Sequence, residues 1–298
     1  MTNKAIIGEQ KKLSMQRRRL LVLEIITILL FLLFMVPFVV VILNSGKTSG
    51  EIMNSAFGAP KNFFGQLADN VSRIFNNPTT DYIGAFVDSL IITLVSLVII
   101  VVFSSMAAWV ITRNKNKVSN FIYMMFVSAM VIPFQVVMFP LVQWFKIISD
   151  ATGIKMLSSY TGIFFAYLGF GAPLSIFILS GFIKTVPLSL EEAATIDGCS
   201  QPGIFFRIVY PLLLPVIVTV LILNGIWIWN DYLLPLLLLG PSGVIQTIPL
   251  AVTAFVGAFV KQWDLILTSA LLAMLPIIIL FIFAQKYIMK GMVEGSVK

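Results

Sequence analysis

Pro187-Leu-Ser-Leu-Glu-Glu-Ala-Ala-Thr-Ile-Asp-Gly-Cys-Ser-Gln-Pro-Gly-Ile-Phe-Phe-Arg-Ile-Val-Tyr-Pro211 is a polar elbow set between two long apolar runs, Tyr160 to Ile183 and Ile208 to Leu239. Each run holds about 20 residues or more, enough to cross a hydrocarbon core of roughly 30 Å as a helix. Inside a bilayer the backbone has no water to bond, and a helix satisfies its amides and carbonyls internally. Two such helices joined by a short polar connection set the class: an all-α, polytopic membrane protein.

Within the elbow, Ser189 and Glu192 have capping-box spacing. The hydroxyl would accept from the amide of residue 192 while the carboxylate accepts from the amide of Ser189, which predicts a helix starting there. Gly198 suits the left-handed residue that closes a helix, and Ser200 with Pro202 suits the first turn of a second one. The resulting helix-Gly-helix elbow is expected to expose Ala193, Ala194 and Ile196, with Phe205 and Phe206 close behind. That mixture fits a partner surface; it also fits an amphipathic elbow lying on headgroups or packed on its own bundle.

Moving outward, further apolar runs lie at about Leu20 to Leu43, Ala85 to Ile111, Phe121 to Phe145 and Leu265 to Ala284, for six spans in all. The chain divides into an N-terminal tail (1–19), a first span (20–43), a Gly- and Pro-containing external loop (44–84), a five-helix core (85–288) and a C-terminal tail (289–298). The core includes the elbow (187–211) and a second external loop (240–264). With a cytoplasmic N-terminus, the outer segments hold only Lys47, Lys61, Arg73, Lys146, Lys155 and Lys261 of the 20 basic residues. The positive-inside bias therefore favours both termini, and the elbow, in the cytoplasm. The first run follows Arg17, Arg18 and Arg19 as a signal peptide would, but it is too long and lacks an Ala-x-Ala exit, so it is expected to stay as an anchor. Pro37, Pro133, Pro140, Pro173, Pro211, Pro215, Pro235 and Pro276 lie in or at the ends of spans. Broken helices are expected, compatible with a moving pathway and equally with ordinary kinks.

Composition narrows the chemistry. The chain has 298 residues, 59% hydrophobic and only 11% charged, where a soluble domain carries roughly 25%. Its net charge of +7 is spread between spans rather than gathered in a patch, which excludes a nucleic-acid partner. With no histidine and a single cysteine, Cys199, Ser-His-Asp triads, histidine metal sites and redox pairs are excluded. No Gly-x4-Gly-Lys-Ser/Thr sequence occurs, so ATP phosphates have no cradle here. No catalytic residue, metal ligand or cofactor is expected in this chain.

The elbow resembles the cytoplasmic signature of permease subunits of binding-protein-dependent ABC importers: Glu-Ala-Ala, three residues, Gly, nine residues, Ile-x-Leu-Pro. Glu192, Ala193, Ala194, Gly198, Ile208 and Pro211 fall at the matching offsets, and Tyr210 stands where the family has Leu. Ile132-Pro-Phe-Gln-Val-Val-Met-Phe-Pro140, Trp229-Asn-Asp-Tyr-Leu-Leu-Pro235, Thr247-Ile-Pro-Leu250 and Gln285-Lys-Tyr-Ile-Met-Lys-Gly291 extend the resemblance to the carbohydrate group, in particular the second permease of maltose-type importers.

The resemblance implies a type I ABC importer fold in a bacterial inner membrane. It implies a second, different permease, two copies of a Walker-type ATPase that hold ATP and Mg, an external solute-binding protein and a sugar or oligosaccharide substrate. The elbow would be the coupling helix docked in an ATPase groove, with Glu192 meeting a basic residue. Gly291, Glu294 and Gly295 would belong to a tail reaching between the ATPase subunits, where the bland alternative is a frayed terminus. Residues 240–264 would correspond to a loop that enters the binding protein. Pro133, Gln135, Asn230 and Asp231 would line a pathway or gate. For Asn230 and Asp231 the alternative is interfacial anchoring beside Trp227, Trp229 and Tyr232, since Asp231 lies about 34 Å along a helix from Ile208. Rival readings are an importer for amino acids or peptides, which would share the elbow, and a stand-alone secondary carrier, which requires ionisable residues at the membrane centre.

Overall fold

The computed structural model describes residues 3–241, 243–256 and 261–296, with side chains from 16 to 282 among them. In chain order the elements are α1 (Asn3–Ser45), α2 (Ser49–Asn54), α3 (Phe63–Phe75), α4 (Tyr82–Arg113), α5 (Lys117–Ala129), α6 (Phe134–Thr152) and α7 (Tyr160–Ile183). The elbow follows as α8 (Ser189–Ile196), α9 (Gln201–Ile204), a π-helical turn (Phe205–Val209) and α10 (Tyr210–Leu212). Then come α11 (Leu214–Asn230), α12 (Leu233–Leu239), α13 (Ile248–Thr253) and α14 (Trp263–Ser296).

Among the described residues four helices are long and apolar enough to cross a membrane unbroken: residues 16–45 of α1, all of α4 and α7, and 263–282 of α14. Two more expected spans are bent. α5 and α6 meet at 109°, and the helical stretch from Gln201 to Leu212 meets α11 at 76°, so the spans number up to six if each bent pair is one. The breaks have local causes. Pro133 sits before α6 with ψ 136°, an extended residue that α5 cannot run through. Pro211 and Pro215 lack an amide hydrogen, so carbonyls a turn earlier lose their donors. The ladder widens to a π-turn, with Tyr210 N–H donating to Phe205 O, and the helix axis then turns at Leu213. Pro37, Pro140, Pro173 and Pro276 instead lie inside continuous helices. The run expected to reach Leu239 ends sooner, at Asn230, because Asp231 is extended (ψ 126°) and α12 starts afresh at Leu233.

The chain forms two compact units, residues 1–73 with 258–272, and 74–257 with 273–298. In the first, the segment expected as an external loop carries α2 and α3 and a buried polar cluster. Lys47 is 1% exposed and donates to Asn44 Oδ1 (2.9 Å) and Ser55 O (2.9 Å). Asp264, at the start of α14, accepts from Ser49 Oγ (2.7 Å) and from Arg73 Nη1 (2.8 Å). Thr268 Oγ1 donates to Ser45 O (2.9 Å). A lysine ammonium buried this deeply requires such partners, because desolvating it unpaired is prohibitive.

In the second unit α4 and α7 lie side by side, with α11 and α5 packed on them. In lipid the apolar side chains gain little by leaving solvent, so packing depends on close approach of small residues and on hydrogen bonds between helices. Gly171 shows the first: a Cβ there would lie 2.6 Å from Ile100 Cδ1 and 2.8 Å from Asn224 Oδ1. Asn224 shows the second, donating to Ser175 Oγ (3.1 Å) across the α7–α11 contact. An apolar core of Ile176, Leu179, Ile183, Ile204, Phe205, Val209 and Leu213 joins α7 to the elbow and to the start of the fifth span.

Candidate functional site

The elbow is built in three steps. α7 ends at Lys184, and the turn that follows has Leu190 N–H donating to Pro187 O and Glu192 N–H donating to Leu188 O. Helical bonding thus begins before Ser189, and the expected capping box does not form because the amide of Glu192 already has a backbone acceptor. At its other end α8 closes with Gly198 at φ 80°, the left-handed region. Cys199 N–H donates to Ala194 O (2.9 Å) and Gly198 N–H to Thr195 O (3.1 Å), the paired bonds of a Schellman closure. Ser200 then caps α9 in an extended conformation without a side-chain hydrogen bond.

Burial divides the elbow into two faces. Ala194, Ile204, Phe205 and Val209 are buried, and Phe205 lies 5.3 Å from the Trp109 ring. Ala194 and Phe205, expected on the outer surface, are therefore on the inner one, since residues adjacent in a helix point about 100° apart. Glu192, Ala193, Ile196 at 86% and Phe206 at 50% remain exposed, as do Gly198 and Pro211; Ile208 is half-buried.

Glu191, not singled out by the sequence reading, fastens the inner face. It is 7% exposed, accepts from Trp109 Nε1 (2.9 Å) and Arg113 Nε (2.9 Å), and pairs with Arg113 Nη2 at 2.7 Å. Arg113 Nη2 also donates to Val186 O (3.0 Å), just before the elbow. The signal was present: Trp109 and Arg113 lie four apart on one face of α4, two strong donors at a helix end that require an acceptor. The elbow is thus held to α4 by a paired, buried charge while its acidic and apolar outer residues stay free.

The residues expected at a pathway are not joined by a hydrogen bond among the described residues. Pro133 and Gln135 are exposed at the break between α5 and α6. Asn230 is exposed and donates to Ile226 O in its own helix (2.8 Å). Asp231 is half-buried; its Oδ1 accepts from Leu233 N (3.0 Å) and its Oδ2 from Tyr167 Oη (3.2 Å), so it caps α12 and ties it to α7. The stretch expected as a second external loop is fastened as well. Asp88 Oδ2 accepts from Gln246 N (2.9 Å) and Ser89 Oγ from Ile248 N (2.8 Å), both at the outer end of α4 as the sequence orients it. Asp88 also accepts from Tyr160 Oη. The backbone of α14 runs to Ser296, while side chains at Gly291, Glu294 and Gly295 lie outside the described residues.

The family model for the inner membrane component of binding-protein-dependent transport systems matches residues 100–294, a stretch containing the whole elbow. The chain belongs to this family. It is thus a multi-pass membrane component of a transport system and not an enzyme. This permease is 40% identical over 276 residues to a protein of Thermoanaerobacterium thermosulfurigenes named a probable starch degradation products transport system permease, covering 93% of this chain and 96% of that one. It is 33% identical to a melibiose/raffinose/stachyose import permease of Bacillus subtilis, covering 88% and 91%. In fold the permease resembles a chain of a bacterial ABC transporter involved in the import of the acidic polysaccharide alginate, with TM-score 0.75, 16% identity and 91% and 96% of the two chains covered. A second crystal structure, of such a transporter with an alginate pentasaccharide-bound periplasmic protein, matches with TM-score 0.68 at 16% identity.

Proposed function

We propose that this permease forms half of the pathway by which a sugar or oligosaccharide is imported, beside a second, different permease. Two ATPase subunits, carrying ATP and Mg, drive it through the elbow, and an external solute-binding protein delivers the substrate. Both termini lie in the cytoplasm. The observation that carries this reading is the division of the elbow: Glu191 locks one face to α4 while Glu192, Ala193 and Ile196 point away. A connection meant only to meet water gains nothing from an exposed Ile196, and one meant only to pack would bury it. A docked helix that must transmit force needs both a partner face and a stiff attachment. Relatives named for starch products and for melibiose, raffinose and stachyose support a carbohydrate substrate. Glu192, Ala193, Gly198 and Pro211 are the docking residues, with Ala194 and Ile208 shaping the attachment. Asp231, with Asn230, Pro133 and Gln135, belongs to the pathway side, and Gly291, Glu294 and Gly295 to a contact with the ATPases.

The test is mild-detergent isolation of the tagged permease from its native membrane, followed by ATPase assays of the assembly with candidate sugars and their binding protein. Co-purification of an ATPase and a second permease, with activity stimulated by an oligosaccharide-loaded binding protein, is expected. Stimulation by amino acids or peptides instead would overturn the carbohydrate assignment, and recovery of the chain alone that transports without ATPase would overturn the importer.

A further inference from the structure

We infer that the cavity between the ends of α4, α5 and α7 nearest the elbow binds the phosphate headgroup of an anionic phospholipid. The inference rests on the orientation proposed above only for the leaflet, which is then the cytoplasmic one. The cavity measures about 720 Å³ and lies where the α4–α5 connection meets the last turn of α7. Lys115, Lys117 and Lys184 line it, and no carboxylate does. Arg113 lines it too, but its guanidinium is committed to Glu191 and Val186. The three lysines are exposed and form no ion pair among the described residues; Lys184 Nζ sits 5.7 Å from the centre of the Tyr123 ring.

Two further observations point to a ligand rather than to a solvated basic edge. Thr112 Oγ1 and Ser180 Oγ, both on the cavity wall, are buried without a hydrogen-bond partner among the described residues, and Ser180 is only 1% exposed. A buried hydroxyl left unpaired is costly, and phosphate oxygens are the acceptors it lacks. The N-terminus of α5 also opens here. Asn116 caps it by accepting from Ser119 N (2.7 Å), which leaves the amides of Lys117 and Val118 at the positive end of the helix. A free phosphate would need only this much. The same helix continues with Val118 (65% exposed), Phe121 (65%) and Met125 (57%) at positions i, i+3 and i+7, an apolar stripe leading away from the lysines. Cationic groups at a helix end above an apolar stripe match a headgroup above its acyl chain.

The test is native mass spectrometry of the full chain in detergent, titrated with phosphatidylglycerol and, separately, with phosphatidylcholine. The wild type is compared with the K115Q/K117Q/K184Q variant, whose changes fall on exposed side chains. The wild type should retain one phosphatidylglycerol at concentrations where phosphatidylcholine leaves it bare, and the variant should bind it on the order of a hundredfold more weakly, since each lysine near an anionic surface counts for about fivefold. Equal retention by wild type and variant, or equal retention of both lipids, would overturn the site. Displacement of the lipid by an equimolar amount of inorganic phosphate would overturn the lipid as its ligand in favour of a soluble anion. Displacement by the co-purified second permease would assign the surface to that subunit instead. The measurement reads binding and not transport, so a chain that retains lipid but imports no sugar counts against the proposed function alone.

Discussion

Replacing Glu191 by alanine isolates the attachment of the elbow from its outer surface. The change deletes a carboxylate that accepts from Trp109 and Arg113 and leaves the Arg113 guanidinium, its side chain 18% exposed, without its anionic partner. Removing one member of a buried pair typically costs about 3 kcal/mol or more. If that cost falls on the docked elbow, its transient opening rises roughly 150-fold, because each 1.4 kcal/mol is tenfold. Glu191→Gln keeps an acceptor for Trp109 but loses the charge assistance, about 1.5 kcal/mol, or roughly a tenfold rise. Amide hydrogen exchange of the purified permease reads this directly. Amides of 192–199 should exchange faster by those two factors while those within α7 keep their wild-type rates. The Arg113→Ala, Glu191→Ala double variant should cost less than the two single changes summed, as expected for residues in contact. Wild-type exchange over 192–199 in Glu191→Ala would refute the attachment, and acceleration spread equally through α4 and α7 would make Glu191 a general support of the bundle.

Three further outcomes follow from particular side chains. Glu192→Lys reverses a charge that is exposed and unneeded for folding, so membrane insertion and melting should be unchanged while uptake of labelled sugar falls at least about tenfold; full uptake would refute docking through Glu192. Gly198→Ala should destabilise the α8 closure by about 1 kcal/mol, because φ is 80° and nothing lies within 4 Å of an added Cβ, so the cost is purely conformational. Gly198→Asn should cost less, and hydrogen exchange of 192–199 ranks the two. Asp231→Ala should lose about 1 kcal/mol of cap to α12, seen as a lower melting midpoint, whereas Asp231→Asn keeps the acceptor and should melt like the wild type. If Asp231→Asn melts normally yet abolishes sugar uptake, the charge itself serves the pathway.

The elbow was legible because its features are local. Gly198 needs only its own backbone freedom, and the offsets from Glu192 to Pro211 fall within one short segment. The capping box at Ser189 failed for a reason no spacing reveals: the chain leaves α7 already coiling at Pro187 and Leu188, so the donor that Ser189 would cap is taken. The choice between Glu191 and Glu192, or Ala193 and Ala194, depends on which side of α8 meets α4, a contact across 78 positions between Arg113 and Glu191. The apolar helices were legible from length, four of them unbroken among the described residues, but not which prolines bend their helices; Pro173 and Pro276 are absorbed where Pro133 is not. The polar cluster around Lys47 and Asp264 was also hidden, because Asp264 and Thr268 bond residues 191 to 223 positions away and each member alone resembles an ordinary loop residue.

α4 is the one expected span with no proline between its ends, Tyr82 and Arg113. At one extremity Asp88 and Ser89 grip the backbone of Gln246 and Ile248; at the other Trp109 and Arg113 grip Glu191. Asp88 and Arg113 stand about 38 Å apart along a helix rising 1.5 Å per residue. An unbroken rod clamped at both tips behaves as a lever: tilting one tip displaces the other at once, with no chain of rearranging contacts between them. A push on the elbow and a pull on the 246–248 stretch are then two handles on a single moving part.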